Sequence, residues 1–245
     1  QIGGGKVKRY RSEYLNLLDK YYDGCQYEGL AEWSQQNKDT YVPVRQRKPL
    51  INYEFAKVLC SRVASKLVGA STFPMFKSEG DPDTEEFIRM VIKTSGLKSK
   101  VIEPVRRMLG SGSSFVRFSL IDGFYKVEHY LSKYCYPVFD ALDNLESVKI
   151  QYVYPDMEDL DAKGAPKLKW FRMDLGKEVD VLYDNPEVKE SAEPVFQVVA
   201  SAQHNLGFVQ GEWFRTAVQK HKPDGPSLYG DCLSFIDELN YNLSQ

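Results

Sequence analysis

The feature that most constrains this chain is a change of period. Up to about residue 110 the apolar residues recur at helical spacing; after Gly110-Ser111-Gly112-Ser113-Ser114 they alternate. Helical spacing returns only at the end, where Leu233, Ile236, Leu239 and Leu243 fall three and four residues apart. Helices first, a meander of strands next and a helix last is the order of an α+β chain. A doubly wound α/β sheet would alternate the two kinds of element. The expected architecture is N-terminal helices packed on a mostly antiparallel meandering sheet, with a C-terminal helix leading away from it.

The local signals fill in this outline. Residues 6–22 place Val7, Tyr10, Tyr14, Leu17, Leu18 and Tyr21 on one helical face, and Gly24 stands where a helix ends. Residues 25–48 are polar and irregular, with room for a turn of helix near Trp33. A second helix over 49–68 carries the stripe Phe55, Val58, Leu59, Arg62, Val63, Lys66 and Leu67, and Gly69 closes it. An extended piece at 72–77 follows. Asp81-Pro82, a capping residue before a first-turn proline, starts a third helix, which Glu85 and Glu86 suit electrostatically and Gly96 ends. The next helix runs toward Leu109, with Pro104 as a kink or restart.

Beyond the change of period, 115–121 and 124–131 read as a hairpin closed by Asp122-Gly123, with Tyr125, Val127 and His129 on one face. Further strands are expected at 136–139, 147–154, 168–173 and 178–183. Asp143-Asn144, Lys163-Gly164, Leu175-Gly176 and Asn185-Pro186 supply the turns. Asp231 is the natural N-cap of the last helix, and no C-cap follows it. The expectation is that a longer polypeptide continues beyond Gln245. The opening QIGGGKVKRYR carries no signal peptide and reads as a trimmed or partly ordered terminus.

Composition narrows the function classes. Lys and Arg number 32 against 34 Asp and Glu, so no overall positive field draws the chain to nucleic acid. Cys25, Cys60, Cys135 and Cys232 are scattered with no CxxC pair, which suits reduced, mostly buried thiols in a cytoplasmic setting. No apolar run approaches the ~20 residues of a membrane span.

The chemistry-bearing patterns are sparse. The histidines are His129 in a predicted strand and His204 and His221 in loops; there is no HExxH, Cys/His cluster or GxSxG. Gly110-Ser-Gly-Ser-Ser has the composition of a phosphate cradle. It follows a helix and precedes a strand, the reverse of a P-loop, and reads as a flexible connection. Asp156, Glu158, Asp159 and Asp161 form an acidic run that suits either a divalent metal or a solvated loop. Arg45, Arg47 and Lys48 could meet phosphate or an acidic partner, or simply solubilise the approach to a helix. No catalytic, cofactor or metal residue is assigned.

In order along the chain, several segments carry a resemblance. They are Tyr21-Tyr22-Asp23-Gly24; Arg47-Lys48-Pro49-Leu50-Ile51-Asn52-Tyr53 before a helix ending Leu67-Val68-Gly69; the helix, Gly/Ser link and strand pair from Arg106 to Val127; Tyr136-Pro-Val-Phe-Asp with the strand after it; and His204-Asn-Leu-Gly, Gly225-Pro-Ser and Ile236-Asp-Glu-Leu-Asn-Tyr-Asn-Leu-Ser. Together they resemble the wing region of the portal protein family of tailed bacteriophages. The departure is Phe208-Val-Gln-Gly-Glu-Trp-Phe, where the family has an apolar, proline-bearing segment.

The resemblance implies a ring, typically dodecameric, at one capsid vertex. Double-stranded DNA would pass through its channel during packaging and ejection. The major capsid protein, terminase and head-completion or tail adaptor proteins would be its partners. It implies no enzyme activity and no cofactor, and a place in the virion after assembly in the host cytoplasm. The chain then divides into the helical part of the wing (1–75), helix plus sheet (76–203) and the lead into the stem (204–245), without stem, clip or crown. Tyrosine gives broad contact area at low entropic cost, so Tyr10, Tyr14, Tyr21 and Tyr22 are candidates for a subunit or capsid contact, or for packing on their own sheet. The rival readings are a metal-dependent nucleic-acid-processing enzyme domain using the acidic run, and another phage head scaffold or connector component.

Overall fold

The change of period falls where the chain passes from one compact unit to another. A computed structural model describes residues 4–33, 42–69, 71–78, 80–121, 123–189, 193–220 and 222–245. One unit joins Gln1–Ser114 to Arg215–Gln245; the other is Phe115–Phe214. The architecture is α+β, as the order of periods requires. The division expected at 75/76 and 203/204 falls elsewhere: residues 76–114 join the helical unit, and 204–214 belong to the other unit.

In the helical unit, α1 (Gly4–Asp23), α2 (Phe55–Val68), α3 (Pro82–Ser95), α4 (Leu97–Lys100) and α5 (Ile102–Ser111) precede α6 (Leu233–Leu243). The two-residue strands β1 (Ala31–Glu32) and β2 (Arg47–Lys48) pair in parallel. The core is Leu18, Tyr21, Tyr22, Ala56, Cys60, Ala64, Leu109, Tyr229 and Ile236. The innermost face of α2 is therefore Ala56, Cys60 and Ala64, four residues apart, and not the larger stripe. Small side chains there let α1 and α5 approach closely, and Phe55, Leu59 and Val63 pack around the edge.

The start of α2 also differs from expectation. Residues 49–54 are not helical, because the amides of Ile51 and Tyr53 are taken by Ser244 Oγ (3.0 Å) and Asn240 Oδ1 (2.9 Å). Tertiary hydrogen bonds here displace the intrahelical ones. Residues 72–77 form no strand. The third helix follows its signals: Asp81 accepts from the Thr84 amide at 3.1 Å, and Gly96 ends it in the left-handed conformation (φ 65°). Pro104 lies in the first turn of α5, where no intrahelical donor is needed, so it marks a restart and not a kink.

In the second unit, β3 (Ser113–Ile121) lies between β4 (Phe124–Leu131) and β10 (Gly211–Arg215). The strands β5 (Cys135–Phe139), β6 (Leu145–Leu160), β7 (Pro166–Gly176), β8 (Val179–Tyr183) and β9 (Val198–Gln203) form an antiparallel meander in chain order. Phe115, Cys135, Val148, Ile150, Met173, Leu175, Val209 and Trp213 fill the core between them. Alternation picks Val148 and Ile150 on β6 and Met173 and Leu175 on β7 for one face. β9 and β10 lie outside the strands predicted from sequence. Asp122 and His221 lie outside the described residues, as do residues 34–41 of the irregular segment.

Candidate functional site

The site with the most constructed geometry is the seat of α6. The leucine period predicts a greasy helix bearing on Leu233, Ile236, Leu239 and Leu243. The structure buries Ile236 and packs Leu233 on the core as expected, but it also buries Asn240, Tyr241 and Ser244 and leaves Leu243 48% exposed. Asn240 is fully buried. Its Nδ2 donates to Tyr27 Oη at 3.1 Å and to Asn52 Oδ1 at 3.2 Å, while its Oδ1 accepts from the Tyr53 amide. Asn52 Nδ2 donates to the Gly24 carbonyl at 2.7 Å, which ties the knot to the end of α1.

One turn earlier, Asp237 accepts from the hydroxyls of Tyr21 (2.6 Å) and Tyr27 (2.8 Å). Burial pushes both phenols above the ordinary tyrosine range, and the carboxylate adds to the shift. At the far end Ser244 Oγ donates to the Asn240 carbonyl, and Tyr241 Oη donates to the Arg45 carbonyl at 2.8 Å. A buried polar group unpaired costs more than a paired one gains, so this knot admits one register of the helix. Its chemistry is positional. It holds a helix at a fixed height and rotation.

Asp231 does not cap α6. It sits in a 3-10 turn, Gly230–Cys232, whose last residue precedes the helix without a side-chain cap bond.

A second junction lies beside the seat. Gly110 packs on Tyr22 and Tyr229, and an added Cβ would meet them at 3.2 and 3.4 Å. Gly112 has φ +86°, and a Cβ there would lie 2.0 Å from the Gly225 carbonyl oxygen. The Gly112 carbonyl accepts from the amides of Thr216 (3.1 Å) and Gly225 (3.2 Å). Asp224 accepts from Arg11 through two nitrogens (2.6 and 2.9 Å) and from Ser113 Oγ. The Gly/Ser stretch is thus a tightly packed crossing and not a flexible connection. Gly110 makes room for the Tyr22 and Tyr229 rings and Gly112 for the Gly225 backbone, not for phosphate.

The basic cluster is largely engaged. Arg45 pairs with Glu238 on α6; Arg47 donates to the carbonyls of Val42 (2.8 Å) and Trp33 (3.4 Å); Lys48 reaches Glu32 at 4.0 Å. The tyrosines divide. Tyr21 and Tyr22 are buried in their own unit, which removes them as surface contacts. Tyr10 (69% exposed) and Tyr14 (48%) stand with Leu17 on the open face of α1.

The acidic run occupies the end of β6 and not a solvated loop. Asp156 pairs with Lys169 (2.8 Å), and Asp159 pairs with Lys169 (2.9 Å) and Lys167 (3.0 Å). Hydrogen bonds from these lysines hold both carboxyls below their usual range. Asp161 closes the turn by accepting from the amides of Lys163 and Ala165. His204 Nε2 lies 3.4 Å from Asp180 Oδ1, and Arg117 bridges Asp180 (3.4 Å) and Glu128 (3.2 Å). Among the described residues no group of three or more His, Cys, Asp or Glu could hold a metal ion, and no helix is long and apolar enough to cross a membrane.

Two concavities escaped the sequence. A groove of about 810 Å³ runs between Phe73, Met75, Phe76, Ile92 and Ile102. A cleft of about 460 Å³ is walled by Arg117, Glu128, Tyr130, Tyr152 and Phe171. Neither is marked by a motif; the first is built within residues 68–102, and the second draws on segments from Arg117 to Ala202. The free cysteines also divide: Cys60 and Cys135 are buried, Cys25 is partly exposed and Cys232 is exposed. No family model matches the chain, and no curated protein matches it.

Proposed function

We propose that this chain is the wing region of a phage portal protein. Such a protein forms a ring at one capsid vertex, passes double-stranded DNA during packaging and ejection, and receives terminase and the head-completion or tail adaptor proteins. One observation carries the reading. Segments that resemble the family only weakly one at a time are bonded to one another. Residues 51–53 meet 240–244, and the Gly/Ser link meets Gly225. Short likenesses scattered by chance over some two hundred residues have no reason to converge on two adjoining junctions of one unit.

The physics suits the role. A helix that leads into a stem must leave the wing at a fixed angle. A polar knot fixes an angle more strictly than an apolar seam does, because a slipped register strands its donors. A closed ring needs two different patches that meet on neighbouring copies. Tyr10 and Tyr14 with Leu17 offer one such patch. The role requires no cofactor and no chemistry of the chain's own, and it places the protein in the virion after assembly in the host cytoplasm. The rival metal-dependent reading needs Asp156 and Asp159 released from Lys167 and Lys169; stabilisation by magnesium or manganese in a thermal melt would support it.

The test is negative-stain electron microscopy of the full-length protein, with its mass in solution. Rings with a central hole and radial wings are expected. A uniform monomer or dimer at every concentration would overturn the proposal.

A further inference from the structure

A groove and a projection on this chain match each other in charge and in apolar character. The groove lies within residues 68–102 of the helical unit. Phe73 and Phe76 meet edge to face in it, 6.4 Å between ring centres, and Met75 beside them is 85% exposed. Ile92 and Ile102 complete the apolar lining, and Lys77, Lys93 and Lys98 stand among them. Lys98 lies over the Phe73 ring, 5.7 Å from its centre. Arg89 is answered by Glu85, but none of the three lysines pairs with a carboxylate among the described residues. An apolar trough edged by three unanswered cations selects an occupant that is apolar and acidic together.

The projection is the end of the β6–β7 hairpin. Asp156 faces Lys167, and the next paired residue, Leu160, faces Pro166. Met157, Glu158 and Asp159 therefore have no partner on β7 and form a bulge, a device that re-aims side chains. The bulge is firmly held. Lys169 grips Asp156 and Asp159, Lys167 grips Asp159, and the Glu158 amide donates to Asp156 Oδ1 at 3.0 Å. These bonds leave Met157 73% exposed, with Glu158, Leu160 and Asp161 exposed beside it. Neither Glu158 nor Asp161 pairs with a cation among the described residues. The lysines fix the bulge in advance, so a partner does not have to order it.

We infer that the bulge of one copy, Met157 to Asp161, docks in the groove around Phe73, Met75 and Phe76 of the next copy. The inference rests on the ring reading and deepens it by naming the two patches that meet. Met157 and Leu160 suit a lining of aromatic rings and a thioether, and two unpaired carboxylates suit three unpaired ammonium groups. Like patches repel. Groove against groove would set lysine against lysine, and bulge against bulge would set Glu158 against its own copy. Only the unlike pairing is left, and an unlike pairing repeated by rotation closes a ring.

The test uses the full-length protein in three forms: the parent, Glu158→Lys, and Lys93→Glu combined with Lys98→Glu. All three positions are exposed, so unchanged melting temperatures are expected. Assembly is followed by light scattering and microscopy as concentration is raised. Each variant alone is expected to need about tenfold more protein to assemble, because it sets like charges across every contact. In an equimolar mixture the two kinds of copy can alternate. A changed bulge then meets a changed groove and an unchanged bulge an unchanged groove, and assembly is expected within about threefold of the parent's concentration. If either variant fails to fold, Met157→Lys and Met75→Glu take their places with the same expectations. Variants that assemble like the parent, or a mixture that does no better than its parts, would overturn the docking and leave the ring reading standing. A changed groove that blocks assembly beside a changed bulge that does not would give the groove another occupant and overturn it equally. A parent that stays monomeric at every concentration would overturn both.

Discussion

Asn240→Ala against Leu243→Ala separates the two accounts of α6. The leucine period makes Leu243 a core residue and Asn240 a surface one; the structure reverses them. Removing the Asn240 amide deletes bonds to Tyr27, Asn52 and the Tyr53 amide. Each is worth about 1 kcal/mol net, and a stranded amide adds about 1–3 kcal/mol. Tyr27 still donates to Asp237, and Asn52 Oδ1 still accepts from Gln26 at 3.1 Å, so two partners keep some satisfaction. The sum is about 3–5 kcal/mol for Asn240→Ala. Leu243→Ala, at a half-exposed position, should change stability by about 0.5 kcal/mol or less. Denaturant unfolding followed by circular dichroism measures both, with an unchanged slope expected. If Leu243→Ala proves the costlier of the two, the buried knot is not what seats the helix.

Gly112→Ala should destabilise by about 3 kcal/mol or more, because strained φ and collision with the Gly225 carbonyl coincide. Gly123→Ala, also at positive φ but facing open space, should cost about 1 kcal/mol; equal melting temperatures would contradict the crossing. Burial pushes Cys60 up to about 12, and burial with the nearby Glu103 charge takes Tyr22 to the same value; burial also raises Tyr21, Tyr27 and Tyr229. These groups keep their protons when folded and lose them near their ordinary values when unfolded. Their contribution is therefore full below about pH 9 and is lost as pH rises toward about 12. Tyrosinate absorbance from this set should appear together with loss of circular dichroism; ionisation in the folded state would refute the argument. Native alkylation at mildly alkaline pH should label Cys232 and Cys25, and Cys60 and Cys135 only after denaturant is added.

Elements whose signals are local were legible. Asp81-Pro82 and Gly96 bound α3 where the sequence puts them, and the β3–β4 hairpin and the meander from β5 to β8 follow from alternation and turn residues, except that Leu175-Gly176, read as a turn, are the last residues of β7 and the bend falls at Lys177-Glu178. What escaped depends on partners far along the chain. The extended path at 49–54 is set by Asn240 and Ser244, almost two hundred residues away, against the helical pattern that follows it. β9 is exposed on both faces, so it has no alternation to betray it. In the candidate site, Arg45, Arg47 and Lys48 were visible as charge. Their partners, Glu238 and two backbone carbonyls, were not. Tyr21 and Tyr22 could not be told from Tyr10 and Tyr14 by helical period, because α1 is apolar on more than one face.

The helical unit is broken in sequence by the whole of Phe115–Phe214. The Tyr229 hydroxyl reaches the Leu18 carbonyl across a separation of 211 residues. On a ribosome this means that α1, α2 and α5 emerge early and wait with an open core while about a hundred residues are added between them and their closing helix. The sheet unit is contiguous and can finish in the meantime, whereas the helical unit pays a late, long loop closure. Any factor that shields exposed apolar surface during synthesis would be needed most in that interval, by the helices that precede the sheet unit.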